Sequence, residues 1–174
     1  MTEIEKSYLI SYREMLAYFS SFDVVTVHTF ITGVHMVYGW MPTMLKLFSS
    51  NDGYKSTVDI LNSVKHGGDI NEDKLVSLTS VINHSLVGSS KLLHCLNPNK
   101  YAIWDSRVYK FIYQKKSQTQ LWKPTNYLSY LENCANVIGE KKFPEIHERI
   151  NKKIGYPVSS FRAIEWVMYM SGGN

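Results

Sequence analysis

The sequence predicts an all-α protein, a compact multi-helix domain that contains a helix-hairpin-helix element. Apolar residues recur at helical spacing in most segments, and capping residues, prolines or glycines stand at the segment ends. The only strand-like stretch is 101–104, which is too short to indicate a sheet. We therefore expect residues 1–174 to form one helical domain.

In the first half of the chain, helices are expected wherever a capping residue or a proline precedes an apolar periodic run. Asp23 is the expected cap of the second helix, and Asn71 is the expected cap of the helix before the central motif. Gly39 is expected to end the second helix, and the two glycines at 67–68 are expected to end the helix before them. The resulting predictions are helices over 3–19, 24–39, 42–47 (a short turn), 57–64 and 72–82.

In the second half, Gly88 is expected to end the helix before it. Ser89 or Ser90 would then cap a short apolar helix over 91–96, which Asn97-Pro-Asn ends. The later helices each open at an aspartate, a serine or a proline, and they are predicted over 105–113, 124–138, 144–154 and 159–170.

Composition favours a cytoplasmic protein. The 174 residues are 44% apolar, which suits one domain with a hydrophobic core. No apolar run is long enough to span a bilayer, and the N-terminus lacks the features of a secretory signal, so we expect no membrane partner. Cys95 and Cys134 lack metal-ligand spacing, so we interpret both as reduced core thiols and expect no metal. The sequence indicates no oligomeric state.

The segment 84–113 carries the functional prediction. A helix that begins just after a glycine turn presents unpaired amides and a positive dipole end, which together bind anions such as phosphate. Downstream, Asp105 opens another helix beside Trp104. Such an aspartate is either a helix cap, which stabilises by about 1 kcal/mol, or a carboxylate that orients water or stabilises positive charge on a sugar ring.

Two motifs in this segment, Gly88-Ser-Ser-Lys and Ile103-Trp-Asp-Ser-Arg-Val, resemble the helix-hairpin-helix DNA glycosylase superfamily. The fuller run resembles the small bacterial and phage proteins near its 8-oxoguanine DNA glycosylase-like branch, over about thirty of the 174 residues. The resemblance implies a hairpin that binds the phosphates of a kinked duplex, with a monovalent cation possible at the hairpin carbonyls and no other cofactor. It also implies an aspartate that serves the flipped nucleotide, and Asp105 matches that position.

The chain departs from the family pattern at the hairpin. The usual Leu-Pro-Gly-Val-Gly is His84-Ser-Leu-Val-Gly here, without the proline and the first glycine. The family's Schiff-base lysine follows the second glycine by two positions, where this chain has Ser90, and Lys91 comes one residue later. One residue rotates a helical side chain by about 100°, so the direction of Lys91 depends on where the hairpin lies.

The resemblance, together with the residue pattern on either side of the two motifs, predicts three groups of site residues. The catalytic pair would be Lys91 and Asp105. The other two groups are DNA-binding residues (Val87, Gly88, Ser89, Ser90, Arg107 and Lys110) and base-pocket residues (Trp40, Trp104 and His84). The implied partner is duplex DNA with a damaged or modified base, in a bacterial or phage-infected cell.

Three mechanisms are open at this point. In the first, Lys91 attacks the sugar, and the enzyme is a glycosylase with abasic-site lyase activity. In the second, Asp105 activates water, and the enzyme is a simple glycosylase. In the third, the protein binds DNA but catalyses no reaction. A helical interaction protein unrelated to DNA is the remaining alternative.

Overall fold

The computed structural model describes residues 3–49, 52–114 and 118–173. Secondary structure in these ranges is helical, apart from one antiparallel bridge between Leu47 and Ile82. The helices are α1 (Glu3–Ser20), α2 (Val27–Tyr38), α3 (Lys55–Lys65), α4 (Glu72–Val81), α5 (Leu86–Leu96), α6 (Ser106–Tyr113), α7 (Pro124–Ile138), α8 (Phe143–Ile154) and α9 (Ser160–Ser171). The all-α prediction is confirmed.

Local capping explains where most of these helices begin. Asn71, Asp105 and Ser159 accept backbone amide hydrogen bonds at the starts of α4, α6 and α9, as the sequence predicts. α2 differs from the prediction, because Thr26 rather than Asp23 is its cap. Thr26 and the residue three positions later bond to each other's backbone amides in a capping box, which satisfies two donors at once.

The segment 42–47 is not helical, contrary to prediction. Its backbone pairs with the turn after α4, where Phe48 N–H donates to the carbonyl of Val81 (2.9 Å) and Asn83 N–H donates to that of Lys46 (3.1 Å). The Asn83 side chain also donates to the carbonyl of Met44 (3.0 Å). These tertiary bonds satisfy the backbone groups that a helical turn would otherwise use.

The turn between α4 and α5 lies at 82–85, so the prediction that Gly88 ends a helix is wrong. Asn83 and His84 have positive φ angles of 54° and 51°. The cap of α5 is Ser85, whose Oγ accepts from Gly88 N–H (3.1 Å), and not Ser89 or Ser90. Gly88 is required for a different reason, since an added Cβ there would lie 2.5 Å from the Tyr38 hydroxyl of α2.

Two groups of helices provide the frame for the site. α5 is almost entirely buried and packs against α1, α2, α3 and α4. α9 packs against α6, α7 and α8. Cys95 of α5 and Cys134 of α7 are buried free thiols, as predicted. None of the helices in the described ranges is long and apolar enough to cross a membrane.

Candidate active site

A cavity of about 1180 Å³ lies where the α5 group meets the α9 group. The loop after α2, the turn before α5, the start of α6 and one face of α9 all contribute to its wall. Its charged lining residues are Lys91, Asp105, Arg107, Lys153, Arg162 and Glu165, and its aromatic ones include Tyr8, Trp40, Trp122, Trp166 and Tyr169.

Lys91 and Asp105, the two predicted catalytic residues, both line this cavity. The neighbouring Ser90 points into the core, where its Oγ accepts from Trp104 N–H at 3.0 Å. Adjacent residues of a helix point about 100° apart, so a buried Ser90 leaves Lys91 facing the cavity. The one-residue displacement from the family pattern therefore does not turn the lysine away.

The Lys91 ammonium is largely buried and makes no hydrogen bond or ion pair with the part of the chain that the structure describes. Burial lowers its pKa below the usual lysine value, and the negative charges of Asp105 and Glu165 act in the opposite direction. A lysine with a lowered pKa in a cavity is a candidate nucleophile, since the uncharged amine is the reactive form.

Asp105 is held rigidly at the start of α6. Its Oδ1 accepts hydrogen bonds from the backbone amides of Arg107 and Val108, both at 2.9 Å. Its Oδ2 has no hydrogen-bond partner within residues 3–49, 52–114 and 118–173. Capping therefore occupies one carboxylate oxygen and leaves the other for a molecule in the cavity.

Sequence reasoning missed Glu165, a second acidic group in the cavity. Its side chain forms a buried ion pair with Arg162, one helical turn earlier on α9. Burial raises the pKa of the Glu165 carboxyl to about 7, although Arg162 acts in the opposite direction. The signal available in the sequence was an Arg and a Glu three residues apart in an otherwise apolar helix.

Two cationic side chains at the cavity wall lie over aromatic rings. Arg107 Cζ lies 4.5 Å from the centroid of Tyr169, and Lys153 Nζ lies 5.4 Å from that of Trp166. Both cationic residues are exposed. Arg107 was predicted from the motif, whereas Lys153, which comes from α8, was not. Lys110 is exposed on α6 but does not line the cavity.

Three further predicted residues, Trp40, His84 and Val87, line the cavity. Trp40 is fixed by its indole N–H, which donates to the Ser11 hydroxyl at 2.8 Å. The His84 ring lies 4.8 Å from that of Phe48, on the turn before α5. The wall near α5 therefore combines an anchored indole with an exposed imidazole.

Four predicted site residues are instead part of the core. Ser89, Ser90 and Trp104 have no exposed surface, and the Gly88 amide is bonded to the Ser85 cap. The Trp104 indole N–H donates to the carbonyl of Leu121 at 2.9 Å. As placed, these groups do not reach the cavity: α5 begins earlier than predicted and buries Gly88, Ser89 and Ser90 among other helices, and Trp104 is enclosed before α6.

The cavity brings together a poorly solvated amine and two carboxyl groups, with aromatic walls and two cations at its edge. No group of three or more metal-ligating side chains occurs in the described parts of the chain. No protein-family model, curated protein or solved structure matches the chain.

Proposed function

We propose that the protein is a DNA glycosylase that excises a damaged or modified base from duplex DNA, with Lys91 as its nucleophile. The observation that carries this proposal is the shared cavity of Lys91 and Asp105, in which burial lowers the lysine pKa. The resemblance of the two sequence motifs to helix-hairpin-helix glycosylases supports the same chemistry.

In the proposed reaction, the Lys91 Nζ lone pair forms a bond to the sugar C1′ while the bond from C1′ to the base nitrogen breaks. The electron pair of the broken bond leaves with the base, which takes up a proton. Asp105 Oδ2 stabilises the positive charge that develops on the sugar. The C1′–O4′ bond then breaks, the ring oxygen takes up a proton, and the nitrogen lone pair forms the C=N bond of a Schiff base on Lys91, from which abasic-site lyase activity can follow.

The cavity walls suit an extruded nucleotide. A glycosylase must remove its target base from the stack and hold it between flat or apolar side chains. Trp40, Trp122 and Trp166 all line the cavity, and Trp122 is 56% exposed. Arg107 and Lys153 add positive charge for phosphate contacts, in a chain whose net charge is +4.

The test is borohydride trapping on a panel of duplexes that carry 8-oxoguanine, uracil, 5-hydroxymethylcytosine or an abasic site. We expect wild-type protein to form a covalent adduct with DNA and Lys91→Ala to form none. Lys65→Ala is the control, because Lys65 is a partly buried lysine whose pKa is also lowered by burial but which lies outside the cavity. It should keep the adduct.

Abasic sites and strand breaks are scored separately on the same duplexes. Base excision without an adduct would remove Lys91 as nucleophile and leave a water-dependent glycosylase centred on Asp105. Salt-sensitive DNA binding without any product would identify a binding module instead. Absence of both binding and product would contradict the proposal as a whole.

A further inference from the structure

Glu165 is an acidic group of the cavity that the reaction above leaves unused. It is 2% exposed, and it lines the cavity with Lys91 and Asp105. The titratable and charged groups around it come from several helices: Tyr12 of α1, Lys91 of α5, Asp105 at the start of α6, Tyr130 and Cys134 of α7, Lys153 of α8, and Arg162 and Tyr169 of α9.

One oxygen of Glu165 is fixed and the other is free to react. Its Oε2 accepts from the Arg162 guanidinium, whereas Oε1 makes no hydrogen bond within the described chain. Arg162 is itself held in place, since its Cζ lies 4.7 Å from the centroid of the Tyr12 ring. The Tyr12 hydroxyl in turn lies 2.9 Å from His94 Nε2. These contacts fix the Oε2 side of the Glu165 carboxyl group.

Burial acts on Lys91 and Glu165 in a complementary way. It lowers the pKa of the ammonium and raises the pKa of the carboxyl to about 7. Both shifts make the uncharged amine and the protonated carboxyl more accessible near neutral pH than they are in water, although Arg162 favours the carboxylate of Glu165. Asp105 differs because its Oδ1 accepts two amide hydrogen bonds at a helix N-terminus, which favours a role in stabilising charge.

We infer that Glu165 is a second catalytic carboxyl group, which holds a proton while Lys91 attacks and gives that proton to the departing base. The inference rests on the proposed glycosylase function. As the bond from Nζ to C1′ forms and the bond from C1′ to the base nitrogen breaks, the leaving electron pair takes the proton of Glu165. The resulting carboxylate then accepts a proton from the secondary ammonium on Lys91, which restores the acid.

An abasic substrate has no departing base to protonate, and that difference provides the test. Glu165→Gln keeps the side-chain volume and an acceptor for Arg162 but cannot donate an acidic proton. On the panel duplex that wild-type protein processes fastest, we expect excision to slow by roughly 10²–10⁴-fold. On the abasic duplex, we expect the borohydride adduct at the wild-type yield. Glu148→Gln, which removes an exposed carboxylate of α8, should change neither.

The pH profile is an independent readout that does not depend on the variant folding well. The active form of Glu165 is protonated and that of Lys91 is uncharged, so the wild-type excision rate should pass through a maximum with pH and fall on the alkaline side as Glu165 loses its proton. Protonation of Lys91 should lower the rate on the acid side. Glu165→Gln should lose the alkaline limb and keep the acid one.

The results separate the two claims. Wild-type excision without an alkaline limb, or Glu165→Gln acting at the wild-type rate or losing the abasic adduct as well, would overturn the role of Glu165 and leave Lys91 in place. An abasic adduct that survives in Lys91→Ala, or no excision of any panel base by wild-type protein, would overturn the proposed function and with it the role of Glu165.

Discussion

Lys91 and Ser90 show how much depends on single positions in this site. The two residues are adjacent on α5, yet the serine hydroxyl bonds to Trp104 in the core and the lysine lines the cavity. A family pattern aligned by glycine spacing alone would place the wrong one of the two in the site. The helical rotation of about 100° per residue explains the choice, once the neighbour's direction is known.

Asp105 has two tasks that substitution can separate. Asparagine caps a helix about as well as aspartate, so Asp105→Asn should change the free energy of unfolding by less than about 0.5 kcal/mol. Asp105→Ala removes both amide hydrogen bonds and should lower it by about 1 kcal/mol. Urea unfolding measures both changes.

Base excision by the same two variants tests the chemistry. Neither variant retains a carboxylate at this position, so both should lose excision despite their different stabilities. An Asp105→Asn protein that excises at the full rate would show that Asp105 is a structural cap alone.

At the scale of elements, α5 is the helix on which the site depends, and Gly88 lies where it packs tightly against α2. The Tyr38 ring of α2 lies directly over this position. Tyr38 is 5% exposed, so the ring has little room to move. The glycine therefore brings α5 close to α2, and it does not provide a turn.

Gly88→Ala should lower the free energy of unfolding by about 1–3 kcal/mol, because the new methyl group would lie 2.5–2.9 Å from atoms of Tyr38. Gly139→Ala is the control: that glycine ends α7 in a right-handed conformation, and an added Cβ would meet nothing closer than 3.4 Å. Thermal and urea unfolding measure both. Equal effects of the two substitutions would refute the packing explanation.

At the scale of the whole molecule, buried titratable groups form hydrogen bonds between segments that are distant in sequence. Their protonation makes the free energy of unfolding depend on pH. His94 of α5 donates from Nδ1 to the carbonyl of Tyr101 (2.6 Å), and its Nε2 accepts from the Tyr12 hydroxyl of α1 (2.9 Å). Burial, assisted by the charge of Arg162, lowers the pKa of His94 to about 3. The folded protein therefore keeps this imidazole neutral.

Acid should destabilise the fold through His94. Between about pH 6.5 and 3 the unfolded chain binds a proton that the folded chain does not, so the free energy of unfolding falls as pH falls. The contribution is at most about 1.4 kcal/mol per pH unit. Glu165 has the opposite effect on stability. Between about pH 7 and its ordinary pKa of 4.5, the folded protein holds a proton that the unfolded chain has lost, so the free energy of unfolding rises as pH falls.

A comparison of wild-type protein with His94→Gln separates the contribution of His94 to the pH dependence of stability from that of the other titratable groups. Urea unfolding of wild-type protein and His94→Gln at a series of pH values should show a shallower acid loss in the variant. His28→Gln, which changes an exposed imidazole of α2, should retain the wild-type slope. Parallel curves for wild type and His94→Gln would contradict the neutral, buried state of His94.

The sequence by itself determined the all-α class and the starts of α4, α6, α7 and α9. Each of these starts depends on a local effect that the sequence shows. The side chains of Asn71, Asp105 and Ser159 accept hydrogen bonds from amides within three residues, and the ring of Pro124 fixes its own φ angle. The pairing of Lys91 with Asp105 was predicted from motif resemblance, and the two side chains line one cavity.

Only the tertiary structure decided where the turn before α5 lies and which other groups reach the cavity. Asn83 bonds to the segment at 44–46, so the chain turns there and not at Gly88. Glu165 and Lys153 line the cavity although they belong to α9 and α8, which are distant in sequence from Lys91. Ser89, Ser90 and Trp104 are buried in the core. Capping is local, whereas burial and the cavity depend on how the α5 and α9 groups pack together, which no local pattern encodes.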